Sequence, residues 1–414
     1  MNGKWSISLL TMKAEDVIMK NYTTKNGFSS SFSVDLRKVQ SKLVLDEVTG
    51  SNVMLVSQGG KIIYEHVVNS NRKGDRDITN ETLFSICSLT KPITIVAALI
   101  LYEKGLLDIN APVKEYLPVF REIKVKSGDH ITTAKNELLV HHLMSHRSGY
   151  SYNYSNNPDS PLPRQGRFRD LEEFVNIAAN TPVEFEPGTD FVYGINQAIL
   201  GRLVEVIGKE PLEAFLVNNI FRPLDMNTTS FSLSEDQRKL LQPLFINSGN
   251  LKGFSDVAGY SLDPMMSTFD PESRAHFGGE GLVSSLKDYS NFCEMLAFSG
   301  EFRGKRILLD KSIQEIIQTN TQEKNARAAF FDPKSGNDNW WAGYDVGLGV
   351  FVKNKSGNDE TMTPVDTFGW SGMHNLHFWV DSKNQTFGLF MSRSLDFKWE
   401  IPTLLRHALY GQKV

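Results

Sequence analysis

The sequence predicts an α/β protein in which one discontinuous α/β domain, residues 1–110 and 275–414, holds an inserted and mostly helical lobe, residues 111–274. Three observations predict this arrangement. Val53–Ser57 and Ile62–Val68 are apolar runs on either side of Gln58-Gly59-Gly60-Lys61, which is a β-hairpin signal. Strand-like runs return near the other end of the chain, at Gly347–Val352, His377–Asp381 and Thr386–Ser392. Between them, from Asp108 to Arg274, helical segments alternate with long irregular stretches. Strands at both ends with helices between them fit one sheet shared by distant parts of the chain. Active sites favour the boundary such an insertion creates.

Taken in order, Leu36, Val39, Leu43, Leu45 and Val48 recur at helical spacing, so a helix is expected over Val34–Val48, before the hairpin. A second helix opens near Ser88 and runs to Gly105, which suits the position just past a helix end. Within the insertion, helices are expected at Glu137–Ser145, Asp170–Asn180, Gln197–Ile207 and Leu212–Asn218. Asn153–Arg169 is a polar stretch with three prolines and too little apolar content to pack alone. Loops of that length in a compact protein are usually functional or mobile. After His276 come a helix at Leu286–Ser299, the C-terminal strands, and a last helix at Trp399–Leu409. There is no internal repeat and no low-complexity tract.

With 414 residues, 40% hydrophobic and 22% charged, the chain can bury one large core or two lobes. A net charge of −4 and scattered basic residues give no nucleic-acid or anionic-membrane signal. Two cysteines, Cys87 and Cys293, are too few for a disulfide framework, and their apolar helical surroundings read as buried thiols. Trp5–Met12, after Lys4, is short and polar for a secretory h-region, and no small-x-small cleavage site follows. No apolar run approaches bilayer-spanning length, so a cytoplasmic protein without a membrane partner is expected.

The chemistry points to Ser88-Leu89-Thr90-Lys91, where an apolar run turns into a helix. Positions i and i+3 share a face at a first helical turn, so the Lys91 amine can reach the Ser88 oxygen. Free N–H groups at a helix start suit a developing oxyanion, and Pro92 loses no partner there. A serine becomes a nucleophile only beside a base, and a desolvated lysine amine is one such base. Ser-x-x-Lys occurs twice more. Ser70–Lys73 falls in a polar turn, and Ser284–Lys287 reads as a helix N-cap with a surface lysine. His142 and His146, four apart on an expected helix, lack the further ligands of a metal site, so no metal and no cofactor is expected. The Gly-x-Ser-x-Gly elbow is missing, because Gly369-Trp370-Ser371-Gly372 places its second glycine one position early.

Around the serine, other segments fall into a recognisable order: Tyr102-Glu103-Lys104-Gly105, His142-Leu143-Met144-Ser145-His146-Arg147-Ser148-Gly149, Glu186-Pro187-Gly188, Tyr193-Gly194-Ile195-Asn196, Gly278-Gly279-Glu280-Gly281-Leu282 and Trp370-Ser371-Gly372. Over residues 35–410 this resembles the serine hydrolase family of class C β-lactamases, D-alanyl-D-alanine carboxypeptidases, family VIII carboxylesterases and lovastatin-type acyltransferases. The resemblance implies a mainly antiparallel sheet flanked by helices, as in the β-lactamase/transpeptidase fold. It implies Ser88 as acylated nucleophile, Lys91 as partner base and Tyr193 as the proton relay to the leaving group. It puts the oxyanion hole at the N–H groups of Ser88 and Met373, and substrate contacts at Trp370, Ser371 and Gly372. Trp370 is expected to open the strand running to Asp381, with His374 as a pocket residue on it.

Two departures from the β-lactamase pattern bear on substrate. Tyr193 lacks the asparagine two places on, and Asn196 comes one place late. Trp370 stands where a lysine would grip a carboxylate, and an indole offers an apolar wall instead. The esterase and acyltransferase branch shows similar patterns, so the expected substrate is a small ester or acyl compound, with hydrolysis or acyl transfer to alcohols or amines. The alternatives are a D-amino-acid peptidase or β-lactamase, and a non-catalytic, assembly-forming relative. The sequence is silent on oligomeric state.

Overall fold

A computed structural model describes residues 27–128, 130–152, 168–248, 252–255, 275–320, 343–354 and 362–411. The N-terminal Trp5–Met12 stretch and residues 153–167 of the polar loop lie outside the described residues. The elements that position the site are α1 (Phe32–Leu45), β1 (Asn52–Gln58), β2 (Lys61–Val68), α2 (Thr90–Glu103), α3 (Val140–Met144), α4 (Leu171–Ala179) and α5 (Asn196–Gly208). They continue with α6 (Leu286–Ala297), β3 (Tyr344–Val346), β4 (Phe351–Lys353), β5 (Phe368–Gly372), β6 (Leu376–Asp381), β7 (Thr386–Ser392) and α7 (Glu400–Tyr410).

The seven strands form one sheet in the order β3-β4-β5-β6-β7-β1-β2, with every neighbouring pair antiparallel. This is the sheet of the β-lactamase/transpeptidase-like fold. β1 joins the two ends of the chain: Asn52–Gln58 pairs with β2 on one side and with Ser392–Thr386 of β7 on the other. Its side chains are apolar at successive positions because both sheet faces are covered. Met54 and Val56 pack with Leu36 and Leu43 of α1 and Ile401, Leu405 and Leu409 of α7. Val53 and Leu55 belong to the large core that also takes in Leu99 of α2, Leu203 of α5 and Phe292 of α6.

α2 is buried along one continuous run from Thr90 to Leu101, so it is apolar all round rather than amphipathic. It packs against α5, and β5 packs against the turn that precedes it. The start of α2 is therefore held between the sheet and the helices of the central segment. Among the described residues no helix is long and apolar enough to cross a membrane.

Several local expectations are corrected. Trp370 does not open a strand running to Asp381. β5 ends at Gly372, Met373–Asn375 reverses the chain, and β6 returns antiparallel. His374 and Asn375 both take positive φ, +73° and +67°, and Met-His-Asn contains no glycine or proline to announce a turn. Gly347–Val350 is a bend closed by the Gly347 N–H on the Val350 carbonyl, and the strands lie on either side of it. The expected helix over Glu137–Ser145 shortens to α3, and the one from Leu212 passes at Val217 into a π turn. A hairpin of Lys124–Ser127 with His130–Thr133 lies in a stretch read as helical and irregular.

Buried histidines give the fold a defined acid limit. Burial, with His141 and Arg147 beside it, pulls His142 down to about 3. Burial and Arg393 do the same to His374, and burial and Arg406 to His377. An unfolded chain protonates these rings near pH 6.5, so below that pH the unfolded state binds more protons than the native state. Stability is then full above about pH 6.5 and falls as pH drops toward 3, by about 1.4 kcal/mol per pH unit for each ring that stays neutral. Melting temperature should be flat from pH 7 to 8 and decline steadily from pH 6 to 4. His377→Gln should flatten that decline, and an unchanged slope would remove His377 from the cause.

Candidate active site

Strand Leu83–Ser85, paired antiparallel with Val283–Ser285, delivers the chain to a 3-10 turn at Cys87–Leu89 that runs straight into α2. Ser88 thus sits one turn ahead of the α-helix proper, with Lys91 in the helix's first turn. Cys87 holds φ at +48°, a backbone state costing on the order of 1–3 kcal/mol for a residue with a side chain. The surroundings hold it there: its Sγ lies 3.6 Å from the Ser85 carbonyl oxygen and 3.8 Å from His374 Nδ1. Burial pushes the thiol up to about 11, so Cys87 is an inert packing group next to the serine.

Lys91 is fully buried, at 0% exposure, while Ser88 and Tyr193 are half-buried. The amine therefore reaches the serine from inside the protein. Lys91 Nζ donates to Ser88 Oγ at 3.1 Å, to the Gly279 carbonyl at 2.7 Å and to Tyr152 Oη at 3.2 Å. Glu280 Oε2 is 3.8 Å away. Tyr193 Oη donates to Ser88 Oγ at 2.7 Å, and Lys91 Nζ lies 4.7 Å from the centre of the Tyr193 ring. The structure brings together Ser88, Lys91 and Tyr193, which the sequence singled out at separations up to 105 residues.

Tyr193 is aimed by its neighbours. A Cβ on Gly194 would lie 2.1 Å from the Tyr150 carbonyl oxygen, so the segment can pass this close only with glycine there. Behind the ring, fully buried His146 stands 4.9 Å from Tyr193 and stacks on Trp370 with planes 6° apart. Asn196 Nδ2 donates to His146 Nδ1 at 3.1 Å and to the Tyr150 carbonyl, while Ser148 donates to Asn196 Oδ1. Burial, helped by the Lys91 charge, drives His146 well below its usual value, and the ring is neutral. His146 lies beyond the end of α3 with φ +57°, so it does not share a helix face with His142. Among the described residues no group of three or more His, Cys, Asp or Glu could hold a metal.

β5 closes the site from the sheet. A Cβ on Gly372 would meet the Ile86 carbonyl oxygen at 2.4 Å, so glycine lets the strand lie against the Cys87–Leu89 turn. Met373, half-buried, follows at the first position of the chain reversal. Trp370 is 3% exposed, stacked on Phe351 at 4.1 Å and 5.9 Å from the Tyr193 ring. Its indole backs Tyr193 rather than forming an open wall. Ser371 alternates to the other face of β5, where its Oγ meets His377 Nδ1 at 2.8 Å. His374 is 2% exposed and packs on Cys87 behind the turn, not in a pocket. Direct substrate contact by the Ser371 and His374 side chains therefore does not fit their placement.

Sequence reasoning missed Tyr152, Glu280 and His146. Glu280 was visible only as part of Gly278-Gly279-Glu280-Gly281, and nothing in that motif says that the Gly279 carbonyl and the Glu280 carboxylate converge on Lys91. Of the other two Ser-x-x-Lys copies, the first is a loop as read, and in the second the helix cap is Ser285 rather than Ser284. Ser70 donates to Asp75 in its loop; Ser284 meets Thr229, and Ser285 caps α6 at the Asp288 N–H while Lys287 is exposed.

A family model described as Beta-lactamase matches residues 44–408 of this chain. Esterase EstB of Burkholderia gladioli is 30% identical over 224 residues, which are 50% of this chain and 56% of that protein. Lovastatin esterase of Penicillium rubens is 23% identical over 410 residues, covering 90% of this chain and 96% of its own length. Among solved structures, EstCE1, described as a hydrolase with promiscuous acyltransferase activity, superimposes with a TM-score of 0.77 at 20% identity. That match covers 92% of this chain and 99% of EstCE1, and it speaks for the fold.

Proposed function

The chain belongs to the beta-lactamase family, and on that premise we propose that it is a serine esterase working through an acyl-Ser88 intermediate, with acyl transfer as a second outcome of the same intermediate. One observation carries the reading: Ser88 Oγ is held at once by Lys91 Nζ at 3.1 Å and Tyr193 Oη at 2.7 Å. In this reading the Lys91–Tyr193 unit starts one proton short of an ammonium plus a phenol, and it takes the serine proton as Oγ attacks the ester carbonyl. The N–H groups of Ser88 and Met373 receive the oxyanion. The bond from the carbonyl carbon to the alkoxy oxygen breaks, and Tyr193 returns a proton to the departing alkoxide. Water then takes the acyl group, or an alcohol or amine takes it in transfer. Ser88, Lys91, Glu280 and Trp370 come from residues 1–110 and 275–414, whereas Tyr152 and Tyr193 come from 111–274, so the site is assigned to the boundary between the two parts.

The substrate class follows from what position 370 and the Tyr193 segment lack. Trp370 supplies no cation for a carboxylate, and Asn196 is committed to His146 and Tyr150. The esterase names of EstB and lovastatin esterase support the same choice. Short-chain p-nitrophenyl esters should be turned over with a kcat/KM at least about tenfold above that for nitrocefin, or ~1.4 kcal/mol of differential transition-state binding. A D-Ala-D-Ala peptide should be turned over more poorly still. A nitrocefin or peptide value above the best ester would reverse the assignment in favour of a lactamase or peptidase.

A further inference from the structure

Behind Lys91 the hydrogen bonds have a fixed direction. Tyr152 Oη donates to Glu280 Oε2 at 3.0 Å, across 128 residues of sequence, and lies 3.2 Å from Lys91 Nζ. A phenol has one proton and an ionised carboxylate has none, so the Tyr152 proton spent on Glu280 leaves only a lone pair facing Lys91. Lys91 then meets three acceptors, Gly279 O, Tyr152 Oη and Ser88 Oγ, which match the three N–H groups of an ammonium. With two of them taken inside the protein, the third is aimed at the serine oxygen. Glu280, 6% exposed, also stands 3.8 Å from Nζ. No other carboxylate is that close to Lys91 among the described residues.

We propose that Glu280 is a positioning residue for the reaction at Ser88, acting through Tyr152 to orient the Lys91 amine. The inference rests on the esterase reading above. The contacts that tie Glu280 to the site run to Tyr152 Oη and Lys91 Nζ, not to Ser88 Oγ. It commits the Tyr152 hydroxyl, and the hydroxyl turned toward Lys91 fixes the rotation of the amine about Cε–Nζ. If the Tyr152 phenol is removed, or its proton is left without the carboxylate, Lys91 remains in place but no longer points one N–H at Ser88. The loss falls on proton transfer rather than on substrate binding.

The test compares Tyr152→Phe, Glu280→Ala, their double variant and Glu280→Gln in kcat and KM for a short-chain p-nitrophenyl ester. The rate of phosphonylation by a fluorophosphonate and the melting temperature are read alongside. Tyr152→Phe and Glu280→Ala should each lose about 10–100-fold in kcat with KM within about twofold, and the double variant should lose no more than about twofold beyond the worse single. Glu280→Gln, whose amide oxygen still accepts from Tyr152, should recover to within about threefold of wild type. Phosphonylation should slow in step with kcat. A folded Tyr152→Phe or Glu280→Ala protein with wild-type kcat, strictly additive losses, or a Glu280→Gln protein as poor as Glu280→Ala overturns the proposal. Should Glu280→Ala fail to fold, Tyr152→Phe and Glu280→Gln decide it alone. A wild-type chain that hydrolyses no ester and takes no phosphonate overturns the esterase reading beneath it. An active wild type indifferent to Glu280 and Tyr152 overturns this inference only.

Discussion

Ser88→Ala should abolish ester turnover, with kcat falling on the order of 10⁴–10⁶-fold, while melting temperature and KM change little. The size follows from the role assigned to the serine. A covalent nucleophile splits one difficult displacement into two easier ones, and no other group in the site can take its place. Cys87 is adjacent, but its thiol is buried, raised to about 11 and turned toward His374. What remains in the alanine protein is oxyanion stabilisation and binding, acting on water alone. Stability should be spared because Ser88 is half-buried in a one-turn element, and its oxygen is held by groups on other segments. A fluorophosphonate should add one adduct to the wild-type chain, mapped by peptide mass to Ser88, and none to Ser88→Ala. Labelling that persists in the alanine variant would move the nucleophile elsewhere. Labelling lost together with the fold, seen as a lowered melting temperature, would call for Ser88→Gly in its place.

Much of the frame around that serine was legible because the signals are local. The Val53–Val68 hairpin, α1, α2 and the helices near Asp170, Gln197, Leu286 and Trp399 follow from periodicity over a dozen residues, and each lies within a few residues of its expected bounds. Ser88 and Lys91 are three apart, so one helical turn is enough to relate them. Tyr193 could be related to them only by resemblance, since nothing in the chain's own spacing brings positions 88 and 193 together. The remainder was invisible for stated physical reasons. The Met373–Asn375 reversal uses two non-glycine residues at positive φ, and a lone asparagine after histidine is a weaker turn signal than glycine or proline. Placing His374 in a pocket assumed a continuous strand, and taking Ser371 as a substrate contact rested on the resemblance alone. Once the chain reverses, the alternation sends Ser371 to His377 and folds His374 back onto Cys87. Glu280 and Tyr152 meet Lys91 through long-range packing alone, and a buried carboxylate in a glycine-rich motif reads as a loop residue until Lys91 Nζ is seen beside it.

Lys91 and Tyr193 should behave as one unit, and the second large effect is therefore a failure of additivity. Both side chains meet the same atom, Ser88 Oγ, and the amine sits 4.7 Å from the phenol ring that shares it. A proton leaving the serine passes to one and is returned to the leaving group by way of the other, so removing either interrupts the same path. Lys91→Ala and Tyr193→Phe should each reduce kcat by about 10²–10⁴-fold, whereas the double variant should fall little below the worse single. Independent contributions would instead multiply, giving a double variant about 10⁴–10⁸-fold down, a gap wide enough to read despite errors in each rate. Tyr193→Phe keeps the ring against His146 and Trp370, so its loss reports the hydroxyl rather than the packing. Lys91→Ala opens a cavity at the start of α2 and leaves Glu280 without its cation, so its melting temperature should fall as well. The Tyr193→Phe arm, with fold intact, is the cleaner measure. If its kcat stays within about threefold of wild type, Tyr193 is a bystander to proton transfer, and Lys91 alone serves Ser88.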